Sequence, residues 1–254
     1  MKSKVILACI VALSFCLVLA LIGCSSSTAP GTATPPHEDS ENVQTGVDVC
    51  IDWVDFICFN NITYLRNTMV SESDGLQQRL GSEYAVVTFN VEQNVKEPGY
   101  SIKHGDAAFL QAGTAIYTLS DYSPSFRLVA LVHNQLLLYE ADTNPNAEYG
   151  RDLLDIADKV EYIGINSIQD GVTEIAKIES PEKVAALVDM ALEAPVTLMS
   201  PNYNPSSSYI VVFQLNDGTS VSRAFDIQAG LLKRGIQVPN EFSDIIRNAI
   251  EVLE

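Results

Sequence analysis

Tyr209-Ile-Val-Val-Phe-Gln-Leu215, Asn216-Asp217-Gly218-Thr219 and Ser220-Val-Ser-Arg-Ala-Phe225 carry the plainest structural signal in this chain. Two runs rich in β-branched and aromatic residues flank an Asp-Gly pair. Such a pair suits a tight hairpin because both residues tolerate the positive φ that its turn needs. The flanking segments decide what this hairpin packs against. Ser180 stands where a helix cap is needed, Pro181 follows at the first helical position, and Glu182 lies near the positive end. Val184, Leu187, Val188, Ala191 and Leu192 then recur at 3.6-residue spacing until Pro195 stops the run. A second helix is predicted from Glu241 to Leu253, with Phe242, Ile245, Ile246, Ala249, Ile250 and Leu253 on its inner face. A hairpin with two helices packed on one face makes residues 171–254 an α+β unit.

Upstream, over residues 47–170, the hydrophobic rhythm changes to that of short strands. Phe56-Ile-Cys-Phe59 and Ile62-Thr-Tyr-Leu65 flank Asn60-Asn61, and Arg127–Val132 and Gln135–Glu140 flank His133-Asn134. Tyr84–Val91 has strand composition, Ala107–Leu110 and Thr114–Leu119 bracket Gly113 as a further expected hairpin, and Lys159–Ile165 closes the set. Six or more such strands predict a small barrel or sandwich-like antiparallel sheet. The length suits either one core shared by both halves or two smaller ones.

The N-terminus reads as an address. Lys2 and Lys4 precede an uncharged run from Val5 to Ile22, at about 18 residues the lower edge of a bilayer span. Leu21-Ile22-Gly23-Cys24 resembles the lipobox of bacterial lipoproteins. That resemblance implies a signal peptide over 1–23, diacylglyceryl attachment to the Cys24 sulfur and cleavage before it. An uncleaved anchor or an ordinary secretory cut are the alternatives. Two acyl chains hold a protein at a membrane essentially permanently, at about 0.8 kcal/mol per buried CH₂. Residues 24–46, rich in Ser, Thr and Pro, are expected to form a disordered linker spanning roughly 25 Å. The folded part is therefore expected on the extracytoplasmic side of the cell membrane.

Charge narrows the partners. The chain has 15 Lys and Arg; without Lys2 and Lys4, 13 remain against 32 Asp and Glu, a formal net of −19 for the mature chain. Such a polyanion repels nucleic acid, which is excluded as a partner. Cys9 and Cys16 leave with the signal, so Cys50 and Cys58 remain beside Cys24. These two could close a nine-residue loop if a turn separates them, or stay as buried thiols. No CxxC pair or Cys/His cluster suggests zinc.

Chemistry-bearing motifs are thin. Asp142, Asn144, Asn146 and Glu148 place oxygen donors at alternate positions, the pattern of a Ca²⁺ loop. Ala147 and Leu153 nevertheless stand where an EF-hand needs Gly and Glu, and an Asn-Pro turn with solvated carboxylates explains the same residues. Ser180-Pro-Glu-Lys183 matches Ser-x-x-Lys spacing, but Ser180 is already explained as a cap. Ser101, His104 and Asp106 could be drawn as a triad without any motif behind them. Asn61-Ile-Thr63 matches a glycosylation acceptor, which means little in a bacterial lipoprotein. Arg127, flanked by Phe126 and Leu128, is expected to pair with an acidic neighbour rather than bind an anion. Trp53, Phe56 and Phe59 are expected in the core rather than as a ligand platform.

Phe126-Arg-Leu128, Tyr139-Glu-Ala-Asp-Thr-Asn-Pro145, Asp152-Leu-Leu-Asp-Ile156 and Tyr162-Ile-Gly-Ile-Asn-Ser167, with Gly105–Leu110, Asp217–Val221 and Gly235–Phe242, resemble a group of uncharacterised bacterial envelope lipoproteins. The likeness covers most of 50–245 and implies an address and an architecture, but no activity. The expected function is a non-enzymatic binding or interaction module of the cell envelope. Its partners are the membrane, through the anchor, and an envelope protein or wall component met at Glu140, Asp142, Glu148 and Asp152. No cofactor is expected. A Ca²⁺-stabilised domain is the first alternative. A cell-wall or peptide hydrolase is the second, and would need a pocket joining His104 to a nucleophile.

Overall fold

The computed structural model describes residues 51–68, 74–197 and 205–251. The expected signal peptide, the linker, Cys24, Cys50 and Leu253 lie outside them. Eight strands form the first sheet: β1 (Phe56–Phe59), β2 (Ile62–Arg66), β3 (Leu80–Val86), β4 (Phe89–Asn90), β5 (Asp106–Ala107), β6 (Ala115–Leu119), β7 (Arg127–Val132) and β8 (Gln135–Thr143). Their spatial order is β3-β6-β7-β8-β2-β1-β5-β4, with every pairing antiparallel except β4 with β5. The sheet curls. β3 and β4 follow each other along the chain yet lie at opposite ends of that order, and the chain crosses over where the Val87 N–H donates to the Thr114 carbonyl and Thr88 N–H to that of Gly105.

Six antiparallel strands form the second sheet, in the order β10-β9-β11-β12-β13-β14: β9 (Val160–Ser167), β10 (Glu174–Ile178), β11 (Ser208–Leu215), β12 (Ser220–Asp226), β13 (Leu231–Leu232) and β14 (Ile236–Gln237). Two short helices, α1 (Asp74–Gln78) and α2 (Val91–Asn94), accompany the first sheet. Two longer ones, α3 (Pro181–Glu193) and α4 (Asn240–Glu251), pack on the second. The chain is thus β-rich α+β. No helix among the described residues is long and apolar enough to cross a membrane.

Local chemistry explains the elements that form as expected. Asn60 and Asn61 have φ of 52° and 63°, His133 and Asn134 of 47° and 68°. These left-handed pairs make the two-residue turns of β1–β2 and β7–β8. The β11–β12 hairpin pairs Tyr209 with Phe225 and Phe213 with Val221, and its loop runs through Asn216, Asp217 and Gly218, with Gly218 at φ 82° and Asp217 outside the left-handed region. Ser180 caps α3 by accepting the Lys183 N–H, and Val184, Leu187, Val188, Ala191 and Leu192 are its buried residues.

Two expectations fail on long-range pairing. Ala107–Leu110 and Thr114–Leu119 do not form a hairpin: β5 pairs with β1 and β4, while β6 pairs with β3 and β7. Lys159–Ile165 does not close the first set of strands, because β9 joins the second sheet between β10 and β11. Period-two alternation says which face a residue takes, not which strand lies beside it.

The core runs across both sheets. One buried cluster fills the curl, with Ile57, Phe59, Tyr64, Leu128 and Tyr139 among its members. The largest joins Leu119, Phe126, Val129 and Leu138 to Ile163, Phe213, Phe225 and, on the helices, Leu187 and Phe242. β7 is therefore buried on both faces, Leu128 and Ala130 pointing into the curl and Val129 toward the second sheet. Edge strands are interrupted or short. β3 shifts register between Leu80 and Glu83 and again before Ala85, β10 between Glu174 and Ala176, and β4 and β14 have two residues each.

Candidate functional site

Where the first sheet meets β12, buried charges replace apolar packing. Arg127 on β7 is fully buried, and its register partner across the ladder is Glu140 on β8. The guanidinium donates to Glu140 Oε1 from Nε at 3.0 Å and from Nη2 at 2.5 Å, to Thr219 Oγ1 at 2.8 Å and to the Ser220 carbonyl at 3.2 Å. It also lies 4.6 Å from the Tyr122 ring centre and 5.1 Å from that of Phe126. Arg127 thus ties the first sheet to the β11–β12 turn. Asp217 in that turn accepts from the Tyr122 hydroxyl at 2.8 Å and pairs with Arg79 at 2.8 Å. Burial works against its charge, but hydrogen bonds from Thr219 and Tyr122, and the field of Arg127, hold its carboxyl below the usual range.

The charge ladder continues along one face. Asp142, two residues from Glu140 on β8, shares its side of the strand. Its carboxylate is gripped by Arg234, from Nε to Oδ1 and from Nη2 to Oδ2, each at 2.5 Å. Arg223 on β12 reaches Glu140 Oε2 at 3.7 Å and donates to the Ala141 carbonyl at 3.2 Å. Burial lowers the Arg223 pKa from its ordinary value, and Glu140 and Asp142 act in the opposite sense. Arg234 takes a left-handed backbone, φ 81°, which costs a non-glycine residue about 1 kcal/mol or more. Gly235 follows at φ 88°, where a Cβ would lie 2.1 Å from the Thr197 carbonyl oxygen. The turn from β13 to β14 is thus built to aim Arg234 at β8.

These residues surround a cavity of about 300 Å³ lined by Arg66, Arg223, Lys233 and Arg234 against Glu140 and Asp142. Four cations face two acids in a chain whose formal charge is −17. Arg127 neutralises Glu140 from behind, so the excess is cationic. Lys233 is exposed and has no acidic partner among the described residues. Arg66 stacks 5.9 Å from the Tyr139 ring centre, in the field of Asp55, which accepts the Tyr139 hydroxyl at 2.9 Å. A larger recess of about 800 Å³ adjoins it.

The residues singled out from sequence go elsewhere in part. Glu140, expected on an acidic partner face, is buried because Arg127, Arg223 and Asn67 consume its oxygens. Asp152 accepts the Glu148 and Tyr149 N–H groups, each at 2.9 Å, closing a local turn. Of the expected Ca²⁺ donors, Asp142 faces a guanidinium where a cation would sit, and Asn144 Oδ1 accepts the Asn146 N–H at 3.0 Å. Asn146 and Glu148 are exposed, and no three His, Cys, Asp or Glu side chains gather among the described residues. Cys58 is a buried free thiol, and burial pushes its pKa up.

His104 lies on an exposed turn, its Nδ1 accepting the Asn60 N–H at 3.0 Å. Asp106 is buried, and its Oδ2 accepts from the Tyr100 hydroxyl and the Lys103 N–H instead. Phe56 and Phe59 are core, and Trp53 packs edge-on to Tyr100. Arg127 pairs with an acid, as its sequence context suggested. In comparison with known proteins, no family model matches the chain, and neither a curated protein nor a solved structure is similar to it.

Proposed function

We propose that this chain is a lipid-anchored, extracytoplasmic binding module of the cell envelope, and that its ligand enters the cationic cavity between the two sheets through an anionic group. The observation that carries the reading is the excess of Arg66, Arg223, Lys233 and Arg234 over Glu140 and Asp142 in a chain of net −17. A cleft lined by one sign of charge focuses its field and raises the local concentration of counter-ions. Guanidinium forks match carboxylate and phosphate oxygens two at a time. The address rests on the lipobox-like Leu21-Ile-Gly-Cys24, and the curled first sheet is read as a small barrel.

Two measurements test this. Full-length protein in phosphatidylcholine vesicles is melted in inorganic phosphate and in chloride at matched ionic strength. At a hundredfold excess over Kd, phosphate stabilises by about 2.7 kcal/mol, roughly 5–11 °C for a domain of this size. Lys233→Glu abolishes the difference. No phosphate-specific shift, or an equal shift in the variant, overturns the anion site. Mass spectrometry of the native N-terminus tests the anchor, which an unmodified Cys24 or a retained Met1 removes.

A further inference from the structure

We infer that the ligand is an anionic amphiphile, with a carboxylate or phosphate head in the cationic cavity and a single alkyl chain in the adjoining recess; this rests on the reading that the cavity is the binding site. The two spaces adjoin, for Asp142, Ile210, Ala224, Lys233 and Arg234 line both. Their far walls differ in chemistry. The smaller continues to Arg66 and Arg223, the larger to Leu153, Ile168, Val196 and Leu231. Ile168, Val196, Ile210 and Ala224 are only half-buried, so apolar surface faces the recess rather than the core.

That surface is available to an alkyl chain, and the recess, at about 800 Å³, falls within the size range of small-molecule sites. Charge selects among apolar occupants. Whatever lies along Ile210 and Ala224 ends beside Lys233 and Arg234, so a neutral chain end leaves Lys233 uncompensated and an anionic head answers it. Arg234 is already held by Asp142 and Arg223 lies beside Glu140, which leaves Lys233 as the group at the junction with charge to offer. The chain supplies the position and the head supplies the discrimination.

The test uses full-length protein in phosphatidylcholine vesicles and a dodecanoate carrying a photoreactive diazirine near its chain end. After illumination, mass spectrometry maps the adducts. Adducts are expected at Ile168, Val196, Ile210 or Leu231. Unlabelled dodecanoate and dodecyl phosphate are expected to displace the probe and dodecyl maltoside not, and their relative strength tells a carboxylate from a phosphate ligand. Competition strengthens three- to fourfold per methylene between eight and twelve carbons if the chain is fully buried. Lys233→Glu weakens capture at least fivefold, and because Lys233 is exposed the fold is retained. Ala224→Phe, which narrows the shared wall, blocks capture without removing charge.

Several results overturn the inference. They are adducts confined to other surfaces, equal competition by dodecyl maltoside, no dependence on chain length, or inorganic phosphate competing as well as dodecyl phosphate. The last leaves the anion site standing and removes only the alkyl chain. A phosphate-specific melting shift without recess adducts does the same. Recess adducts indifferent to Lys233→Glu sink both readings.

Discussion

Replacing Arg127 by Met tests the junction on which the site depends. The substitution keeps an unbranched apolar stem but removes four hydrogen bonds, two to Glu140, one to Thr219 and one to the Ser220 carbonyl. Glu140 is then left buried at 7% exposure with Asn67 at 3.0 Å and Arg223 at 3.7 Å. Breaking a buried ion pair by deleting one partner costs about 3–5 kcal/mol, because the survivor keeps its desolvation penalty. The two remaining partners put the expected loss at the lower end, about 3 kcal/mol, or a fall in Tm of roughly 6–12 °C for a domain of this size. Urea titration followed by circular dichroism measures it. The discriminating variant is Arg127→Met with Glu140→Leu. Removing the second charge abolishes the penalty that the first substitution exposed, so the double variant is expected to be more stable than Arg127→Met alone, with a coupling of about 1.5 kcal/mol or more. Strict additivity, or a single-variant loss below about 1 kcal/mol, refutes the assignment of Arg127 as the tie between the sheets.

Other perturbations follow from the same structure. Gly150→Ala places a Cβ 1.9 Å from the Ala191 carbonyl oxygen, inside the backbone of α3; helix displacement is expected to cost about 1–3 kcal/mol, read as a lowered urea midpoint. Ser180→Ala removes the α3 cap and is expected to cost about 1 kcal/mol in the same assay. The Asp217 carboxyl titrates below its ordinary 3.8, so its stabilisation is present above that value and lost as pH falls through the lower folded value. Asp217→Asn is therefore destabilised relative to wild type at neutral pH, and the gap between their urea midpoints closes on acidification; a gap that persists in acid contradicts the assignment. Burial raises the pKa of Tyr64, Tyr122 and Tyr139. An ultraviolet titration of the ten tyrosines should show these three ionising last, together with alkaline unfolding.

What could be read from the chain was local. Asn60-Asn61, His133-Asn134 and Gly218 announce turns because their own backbone preferences make them, and α3 announces itself by a capped 3.6-residue period. Partnership between distant strands has no such signal. β9 carries ordinary strand composition, and β4, β5, β13 and β14 are two residues long, too short to show a period at all. The candidate site is illegible for the same reason. Its charges come from positions 66, 140, 142, 223, 233 and 234, and each alone reads as a solvated side chain. Asp142 shows the trap. Beside Asn144 and Asn146 it resembled a metal loop, whereas its counter-ion is Arg234, 92 residues away. Only Arg127, an arginine inside an apolar strand, hinted at a buried pair.

The broken rims of the two sheets bear on life at high density. Molecules fixed to a bilayer meet one another in two dimensions, and a long flat strand rim on each would invite them to zip together. Here the rims offer little to copy. β3 is offset twice and carries Glu83 between the offsets, β10 is offset beside Glu174, and β4 and β14 end after two residues. With the lipid anchor proposed above, neighbours can therefore crowd a membrane without polymerising through their backbones.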